Sequence, residues 1–327
     1  MPEPVLVAGG AGYIGAHVCK ALAAAGRLPV VLDDLSTGHR DFVRWGPFRQ
    51  ARVSDAAAVR ALVAEHGIRT VIDLAASIEV GESVRDPLKF YANNLAEKVF
   101  FLTALRDAGV ARVILSSTAA VYGEPEATPL LESHPLRPQN PYGRTKLAYE
   151  GMLADVAAAG GPRFLALRYF NAAGADAGGK IGEWHDPESH LIARAALAVL
   201  GAVPPLEIFG NDWPTPDGTA IRDYVHVSDL AAAHVLAVTA LEAGVPSGAC
   251  NLGTGHGASV AEVLASFAAE GFAVPHRLTA RRPGDPARLV ADPALARRLL
   301  GWTPQCSDLP TIVRSATAWH RRQLARG

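Results

Sequence analysis

The chain has 327 residues, 49% of them hydrophobic and 19% charged, which is enough for one large domain or two smaller ones sharing a sizeable core. Its 31 basic and 32 acidic residues leave a formal net charge of -1, so neither a nucleic acid nor a membrane surface is expected as a partner. The three cysteines, Cys19, Cys250 and Cys306, are far apart and lack metal-ligand spacing, which predicts a reducing, cytoplasmic location without disulfides.

Short apolar segments alternate with helical segments through the first half of the chain. The segments with strand character are 5–8, 30–32, 70–74, 113–116 and 164–168, and the helical ones are 16–25, 56–66, 93–108 and 142–158. Nearly continuous apolar strands separated by helices are typical of a parallel sheet covered on both faces. We therefore predict an α/β fold with a doubly wound, Rossmann-like parallel sheet.

The composition changes past residue 172, where Gly, Pro, Trp and His become frequent and periodic segments are few until 260–269 and 294–300. This change predicts a cofactor-binding domain over 1–172 and a smaller mixed α/β domain over 173–327. A strand-like segment at 223–227 precedes an alanine-rich helix. We expect the region of about 219–250 to return to the first domain.

A glycine loop follows the first predicted strand and opens the first helix. It contains Gly9, Gly12 and Gly15, in the spacing Gly-x-x-Gly-x-x-Gly. Glycines let backbone N–H groups approach a pyrophosphate at the positive end of a helix. In this context the pattern predicts a dinucleotide site, although a glycine-rich turn that only packs strand on helix remains the alternative.

Asp33 ends the second predicted strand, 18 residues after Gly15. An acid near this position accepts the ribose hydroxyls of a dinucleotide, and its charge repels a 2′-phosphate. NAD is therefore favoured over NADP. The neighbouring Asp34 has a helix cap as its alternative role, and Arg40, which could pair with a 2′-phosphate, keeps NADP among the alternatives.

Tyr142 and Lys146 are four residues apart in a segment that enters a helix after Pro141. Four residues is about one helical turn, so the phenol and the ammonium share a face. A nearby cation favours the phenolate of a group whose ordinary pKa is about 10. Thr118, at the end of the fourth predicted strand, lies where open α/β sheets bind ligands. These three residues predict hydride chemistry with Tyr142 as base.

Over nearly its whole length the chain resembles the UDP-glucose 4-epimerases, a group within the extended short-chain dehydrogenase/reductase family. The matching blocks are 9–17, 80–87, 116–123, 140–146, 167–174, 208–229, 251–255 and 281–285. Segments 208–215 and 222–227 are far more specific than the glycine loop.

The resemblance implies interconversion of UDP-glucose and UDP-galactose through a 4-keto sugar, with NAD tightly bound. Tyr142 would take the proton of the 4-hydroxyl while C4 gives its hydride to NAD, and the sugar would turn and recover the hydride on its other face. Lys146 would stabilise the phenolate and hold the nicotinamide ribose, and Thr118 would hydrogen-bond the reacting oxygen.

The resemblance also implies two sets of binding residues. For the cofactor they are Gly9, Gly12, Tyr13, Ile14, Gly15, Asp33, Asp34, Leu74, Ala75, Ala76, Asn94, Tyr142, Lys146 and Tyr169. For the substrate they are Thr118, Asn171, His190, Leu191, Phe209, Arg222, Arg282 and Asp285. Within the second set, the arginines match diphosphate contacts, Phe209 the uracil pocket and Asp285 the uridine ribose.

The segment 185–190 contains four potential metal ligands within six residues. Pro187 and the lack of a helical His-x-x-x-His pair argue against a metal site there. The resemblance instead makes the segment a substrate loop with His190 near the nucleotide sugar, so we predict no metal.

Four residues differ from the usual epimerase pattern: Ala8, Arg52, Asp73 and Ile78. They lie mostly around the cofactor, so we expect weaker retention of NAD. Leu289 occupies a pocket position where bulk is associated with exclusion of N-acetylated sugars, and leucine there favours some tolerance of UDP-N-acetylglucosamine.

Several alternative functions stay open at this point. They are a 4-epimerase of another UDP-sugar (an N-acetylhexosamine, a pentose or a uronate), a 4,6-dehydratase, and a non-catalytic NAD-binding sensor. A dehydratase typically has an acid pair after the threonine, where this chain has Ala119 and Ala120. A sensor commonly lacks the Tyr or the Lys. By analogy with similar epimerases, we expect a homodimer through helices 93–108 and 142–158.

Overall fold

The computed structural model describes residues 2–282 and 285–326. The described strands are β1 Pro4–Ala8, β2 Leu28–Asp33, β3 Phe48–Gln50, β4 Thr70–Asp73, β5 Arg112–Thr118, β6 Arg163–Tyr169, β7 Asn171–Ala173, β8 Leu206–Phe209, β9 Ile221–Arg222, β10 Tyr224–His226, β11 Gly248–Leu252, β12 Ala258–Ser259, β13 His276–Thr279 and β14 Arg288–Leu289.

The described α-helices are α1 Tyr13–Ala24, α2 Ala56–His66, α3 Val80–Arg85, α4 Pro87–Tyr91, α5 Glu97–Asp107, α6 Pro141–Ala158, α7 Leu191–Val199, α8 Val227–Glu242, α9 Val260–Ala269, α10 Ala294–Leu300 and α11 Leu309–Leu324. A π-helical turn, Ala92–Ala96, leads into α5. Many helices begin at a polar cap in the sequence. Asp55 caps α2, Asn140 caps α6 and Ser259 forms a capping box with Glu262 in α9.

Seven strands form one parallel sheet in the order β11-β6-β5-β4-β1-β2-β3. The order reverses direction between β1 and β4, which is the switch point where doubly wound sheets bind dinucleotides. One hydrophobic core lies between the sheet and helices α1 and α8, and another between the sheet and helices α2, α5 and α6. The predicted doubly wound fold is confirmed.

Smaller sheets lie beyond β6. They pair β10 with β7, β8 with β13, and β9 with both β12 and β14. A separate core, which includes Ile192, Tyr224, Phe267 and Ile312, joins α7, α9 and α11. These elements carry most of the residues expected to bind the substrate.

Two later parts of the chain pack against the large sheet. Strand β11 forms its edge beside β6, and residues of α8 belong to the same core as α1. Ala296, Leu300 and Trp302 also belong to that core. The division at residue 172 stays a prediction, since the chain returns to the sheet more than once.

Some elements were not predicted from the sequence. Strand β3 has only three residues and two of them are exposed, so it lacks an apolar run. Because of β3, the strand that ends at Thr118 is the fifth strand of the chain and not, as predicted, the fourth. Helix α11 was missed although its signals are present: Asp308 as cap, proline in the first turn and buried Ile312, Val313 and Ala316. None of the described helices is long and apolar enough to cross a bilayer.

Candidate active site

The glycine loop is a tight turn between β1 and α1 that tolerates little added volume. A Cβ on Gly15 would lie 2.0 Å from the Gly9 carbonyl oxygen, and one on Gly9 would lie 2.7 Å from the Ala75 nitrogen. Gly9 also has a φ of 78°, which favours glycine. At Gly12, the N-cap of α1, an added Cβ would have only one neighbour, 3.4 Å away. The loop therefore leaves open space at the helix N-terminus.

Residues after β4 lie against this loop. The close approach of Gly9 to Leu74 and Ala75 places two of the predicted cofactor residues beside the glycine turn. Leu74 donates its backbone N–H to the Ala8 carbonyl at 2.9 Å, which holds the segment after β4 beside the end of β1. Ala76, the next residue, is half-buried in the same segment.

The carboxylate of Asp33 lies at the end of β2, beside the glycine loop. Its two oxygens accept the N–H of Ala11 and of Leu35, each at 2.9 Å, and each oxygen keeps a second lone pair. Burial raises the pKa of Asp33 and the two backbone hydrogen bonds oppose that rise. Asp34 instead accepts from the Ser36 N–H at 2.9 Å and closes a local turn.

Helix α6 begins directly before the Tyr142 and Lys146 pair. Asn140 caps it by accepting the Gly143 N–H at 2.8 Å, and Pro141 occupies the first turn. The Lys146 Nζ lies 6.0 Å from the centre of the Tyr142 ring and donates to the carbonyl of Ser116 at 2.7 Å. The helix and the end of β5 thus hold the ammonium beside the phenol.

Burial controls the ionisation of both groups. It raises the pKa of Tyr142 to about 12, and a hydrogen bond from the Thr118 hydroxyl opposes the rise. It lowers the pKa of Lys146 to about 8, with the nearby Lys98 acting in the same direction. At neutral pH Lys146 therefore still carries its positive charge. The phenol needs further positive charge to ionise, and an oxidised nicotinamide is one source of it.

The remaining predicted cofactor residues surround this pair. The hydroxyl of Tyr169 shares a short hydrogen bond with the hydroxyl of Ser116. The backbone carbonyl of the same serine accepts from Lys146. Asn94 accepts from the Ser77 N–H at 2.8 Å and donates to the Thr145 hydroxyl at 3.4 Å on α6.

Two further predicted cofactor residues lie in α1. Tyr13 is buried, and its hydroxyl donates to the Gly174 carbonyl at 2.6 Å. Ile14 is partly buried and packs on the core under the sheet.

These groups fit a bound dinucleotide. The space beside Gly12 follows β1, the free lone pairs of Asp33 lie at the end of β2, and the Lys146 ammonium lies at the end of β5, so all three are at the carboxyl ends of strands on either side of the switch point. A pyrophosphate, a ribose diol and a nicotinamide ribose need these three kinds of partner.

Residues expected to hold UDP lie together on the smaller sheets. The Arg282 guanidinium carbon lies 3.8 Å from the centre of the Phe209 ring, and Arg222 lies 4.0 Å from the Asp285 carboxylate. Burial lowers the pKa of Arg222 and Asp285 opposes that change. The arrangement offers two cations and one aromatic face without a basic protein surface. The matching block 281–285 includes Pro283 and Gly284, which lie outside the described residues.

The structure places the other predicted substrate residues on β7 and at the start of α7. Asn171 donates its backbone N–H to the Asp223 carbonyl at 2.9 Å, next to Arg222 in the chain. Leu191 packs on the core beneath α7. His190 is the N-cap of α7, and its Nδ1 lies 2.6 Å from Glu183.

Leu289 links the two groups of residues. It pairs with Arg222 across strands β14 and β9 and packs beside Val121 and Tyr122, which follow Thr118. The hydroxyl of Thr118 also accepts the Ala120 N–H at 3.1 Å. The strand that carries Arg222 therefore approaches the turn that carries Thr118.

A buried network near the cofactor residues was not predicted. Asp73 pairs with Lys98 at 2.8 Å and accepts the Tyr149 hydroxyl at 2.8 Å, with both charged side chains at most 3% exposed. The sequence did contain a signal, because Lys98 lies on the apolar face of α5 between Leu95 and Leu102. Asp73 replaces a common histidine here and gains a compensating lysine. Of the other departures, Arg52 pairs with Glu97 and Ile78 is exposed.

The chain is similar to proteins of known function over nearly its whole length. Residues 5–253 match the NAD dependent epimerase/dehydratase family. The chain is 49% identical to a UDP-glucose 4-epimerase of Rhizobium leguminosarum bv. trifolii over 321 residues, covering 98% of each chain. A crystal structure of a Brucella ovis UDP-glucose 4-epimerase in complex with NAD superposes with a TM-score of 0.95 at 51% identity, covering 97% of this chain and 98% of that one.

A second solved structure carries a nucleotide sugar as well as the cofactor. The UDP-glucose 4-epimerase of Stenotrophomonas maltophila, with bound NAD and formylated UDP-arabinopyranose, superposes with a TM-score of 0.96. It is 40% identical and covers 99% of this chain and 100% of that one.

Proposed function

Because the chain belongs to the NAD-dependent epimerase/dehydratase family, we propose that it interconverts UDP-glucose and UDP-galactose by inverting C4 of the hexose through a 4-keto sugar. The observation that carries this proposal is the position of Tyr142 and Lys146 at the carboxyl end of β5, beside Thr118. NAD is the cofactor, as in the Brucella ovis and Stenotrophomonas maltophila complexes.

The side chains of the active site accept one proton from the substrate and later return it. The Tyr142 oxygen accepts the proton of the 4-hydroxyl and later returns it, while Thr118 hydrogen-bonds the reacting oxygen. Lys146 stabilises the phenolate through its positive charge, held in place by the Ser116 carbonyl at 2.7 Å. Bound NAD supplies the oxidised nicotinamide that accepts the C4 hydride and gives it back. Inversion requires the keto sugar to present its opposite face before the hydrogens return.

The dinucleotide is held by the glycine loop and Asp33. The N-terminus of α1 faces the pyrophosphate through Gly12, and the carboxylate of Asp33 accepts the adenosine ribose hydroxyls. A 2′-phosphate would lie against that carboxylate and be repelled, which supports NAD over NADP. Asn94 and Tyr169 support the segments nearest to Lys146.

The UDP group is held on the smaller sheets. Arg222 and Arg282 neutralise the diphosphate, Phe209 stacks on the uracil and Asp285 accepts the uridine ribose hydroxyls. Arg282 covers one face of the Phe209 ring at 3.8 Å in this structure, so a uracil stacks on the other face or displaces the guanidinium.

The rival reactions have less support. Ala119 and Ala120 provide no acid for water elimination, which argues against a 4,6-dehydratase. The Stenotrophomonas maltophila complex contains a UDP-pentose derivative, so UDP-pentoses belong among the substrates to be tested. A sensor that only binds NAD has no need for a phenol beside a buried lysine.

The test is product analysis with a tyrosine variant. We expect purified protein without added NAD to convert UDP-galactose to UDP-glucose, and Tyr142→Phe to lose at least about 10³-fold in kcat while binding UDP as tightly as the wild type. Tyr91→Phe, a partly exposed tyrosine on α4, is the matched control. Undiminished turnover by Tyr142→Phe would refute the mechanism. UDP-xylose, UDP-glucuronate and UDP-N-acetylglucosamine, run in parallel, determine the sugar range.

We further propose that the enzyme works as a cytoplasmic homodimer. The outer face of α5 and its π-helical turn carries Ala92, Ala96, Val99, Phe100 and Thr103. Phe100 is 59% exposed and Val99 48%. The outer face of α6 beside it carries small residues at 148, 151, 154 and 158, which allow close approach of another helix. A second copy is the partner that this face supports.

A further inference from the structure

Four metal-binding side chains converge in the loop before α7. The loop contributes Glu183, His185, Glu188 and His190, each with one ligand atom, and these atoms all lie within 4.8 Å of one another. The prediction that this segment holds no metal was based on Pro187, on the lack of a helical His-x-x-x-His pair and on the resemblance to a substrate loop. The segment is not helical, and its path turns all four side chains to a common point.

The distances between these atoms suit a four-coordinate ion. Oε1 of Glu183 lies 3.5 Å from Nδ1 of His185 and 2.6 Å from Nδ1 of His190, and Oε2 of Glu188 lies 3.5 Å from Nδ1 of His185. Nitrogen and oxygen ligands at about 2.0–2.2 Å from a tetrahedral zinc ion are about 3.3–3.6 Å apart. Two of these three separations therefore already match, and the third needs about 0.8 Å of movement.

Two atoms of the cluster have no hydrogen-bond partner although they are buried. They are Nδ1 of His185 and Oε2 of Glu188, which face each other at 3.5 Å. The Glu188 side chain is only 4% exposed. Buried polar atoms without a partner are rare and cost free energy, and a cation bound between these two atoms would satisfy both.

The second oxygen of Glu188 is already fixed. Its Oε1 accepts the N–H of Ser189 at 2.8 Å and of His190 at 2.9 Å, which directs Oε2 into the cluster. Ligands of protein-bound metals commonly have such outer hydrogen bonds. The exposed part of the cluster is on the histidine side, since the His190 side chain is 40% exposed and gives an ion access.

We propose that Glu183, His185, Glu188 and His190 form a binding site for a divalent transition-metal ion, Zn²⁺, that fastens the loop before α7. Two imidazoles and two carboxylates are a donor set that zinc accepts, and two carboxylates balance its charge. The ion would have a structural role, because no step of the predicted epimerase chemistry needs it, although one of its ligands, His190, is also a predicted substrate residue.

The loop is also tied to both parts of the molecule. Ser189 donates to Glu79 at the start of α3, and the Glu183 carbonyl accepts from Trp319 on α11 at 2.8 Å. An ion that joins residues 183 and 190 would close this loop at both ends. It would thereby hold the start of α7, where His190 and Leu191 are expected to face the nucleotide sugar.

The test is metal titration of the full-length protein after removal of metal with EDTA and exchange into chelator-free buffer. We expect one Zn²⁺ per chain by calorimetry, a rise in Tm on addition of Zn²⁺, and the intense visible absorption of four-coordinate Co²⁺ when cobalt is used. The variants Glu188→Gln and His185→Gln should weaken Zn²⁺ binding at least tenfold. Glu65→Gln and His256→Gln alter exposed residues elsewhere and should bind like the wild type.

Two results would overturn the proposal. One is wild-type protein that binds no stoichiometric Zn²⁺, and the other is equal binding by the loop variants. If the variants do not fold, as judged by circular dichroism, the wild type still decides the question. Zn²⁺ should then protect His185 and His190, but not His256, from carbethoxylation measured by peptide mass spectrometry, and lack of protection would reject the site.

Discussion

At the residue scale, the buried charges around the reacting groups depend on one another. Asp73, Lys98 and Tyr149 form a closed network under the cofactor segment, and Lys98 also lowers the pKa of the neighbouring Lys146. A buried ion pair adds little over an apolar pair, but loss of one partner leaves an uncompensated charge. The substitution of Asp73 for the usual histidine is therefore tolerable only with Lys98 present.

Removal of one charge tests this interpretation. We expect Asp73→Asn to lower the free energy of unfolding by about 3–5 kcal/mol, because the Lys98 ammonium then stays buried without a carboxylate. Urea unfolding followed by circular dichroism measures the change. Asp107→Asn removes the carboxylate of an exposed pair with Arg106 and should cost less than about 1 kcal/mol. Equal effects of the two substitutions would contradict the network.

Buried histidines make the fold sensitive to acid. The ring of His234 is fully buried, which lowers its pKa to about 4 from an ordinary 6.5, although its Nδ1 hydrogen-bonds the Leu230 carbonyl at 2.8 Å. The unfolded chain therefore binds a proton between pH 6.5 and 4 that the folded chain does not. Stability from this group is complete above pH 6.5 and is lost as the pH falls.

The prediction is a difference between variants across pH. Between pH 6.5 and 4.5 the free energy of unfolding should fall less in His234→Leu than in the wild type. We expect the two falls to differ by on the order of 2–3 kcal/mol. Urea midpoints at the two pH values provide the measurement. The exposed His256→Leu should keep the wild-type pH dependence, and an unchanged slope in His234→Leu would disprove the assignment.

At the scale of single elements, the helix ends and turns position the chemistry. Helix α6 begins where Asn140 caps it, which places Tyr142 in the first turn and Lys146 one turn later. The turn between β1 and α1 is closed by glycines that approach the backbone after β4. Both features are local in sequence, and for that reason both were visible before the fold was known.

The glycine turn can be tested by a single methyl group. Gly15→Ala would place a Cβ 2.0 Å from the Gly9 carbonyl oxygen, so the turn proposed to bind the pyrophosphate must change its shape. We expect the dissociation constant of NAD to rise at least about tenfold, or 1.4 kcal/mol, measured by calorimetry on stripped enzyme. Gly248→Ala, where an added Cβ meets no atom within 4 Å, should bind NAD normally. Normal binding by Gly15→Ala would contradict this role.

At the scale of the whole molecule, the proposed dimer would bury an exposed apolar face. Helix α5 has exposed apolar residues, and helix α6, whose outer face carries small residues, packs against the π-helical turn that leads into α5. Burial of such a face between two copies removes apolar area from water at about 25 cal/mol per Å². The catalytic helix α6 would then be covered on its outer side.

A charge placed on this face should separate the two copies. We expect Phe100→Asp to turn a dimer into a monomer in sedimentation velocity experiments, because an aspartate cannot be buried there without a partner. Leu278→Asp, on the exposed strand β13, should remain dimeric. A wild-type protein that sediments as a monomer would rule out the dimer.

The sequence by itself determined the local features. Helices α2, α9 and α10 have the bounds that their apolar periodicity predicts, and the parallel sheet follows from the apolar strands between helices. The glycine spacing and the Tyr142 and Lys146 pair were likewise legible. Each depends on propensities and spacings within about one turn or strand, and these act before any tertiary contact forms.

Only the tertiary structure decided the features that join distant segments. The pairing of Asp73 with Lys98 and the stacking of Arg282 on Phe209 require elements far apart in sequence to pack at a set distance. The cluster of Glu183 and its three neighbouring ligands is local in sequence, but its convergence depends on a loop held by α3 and α11. Irregular backbone has no period, so a sequence pattern cannot fix where its side chains meet.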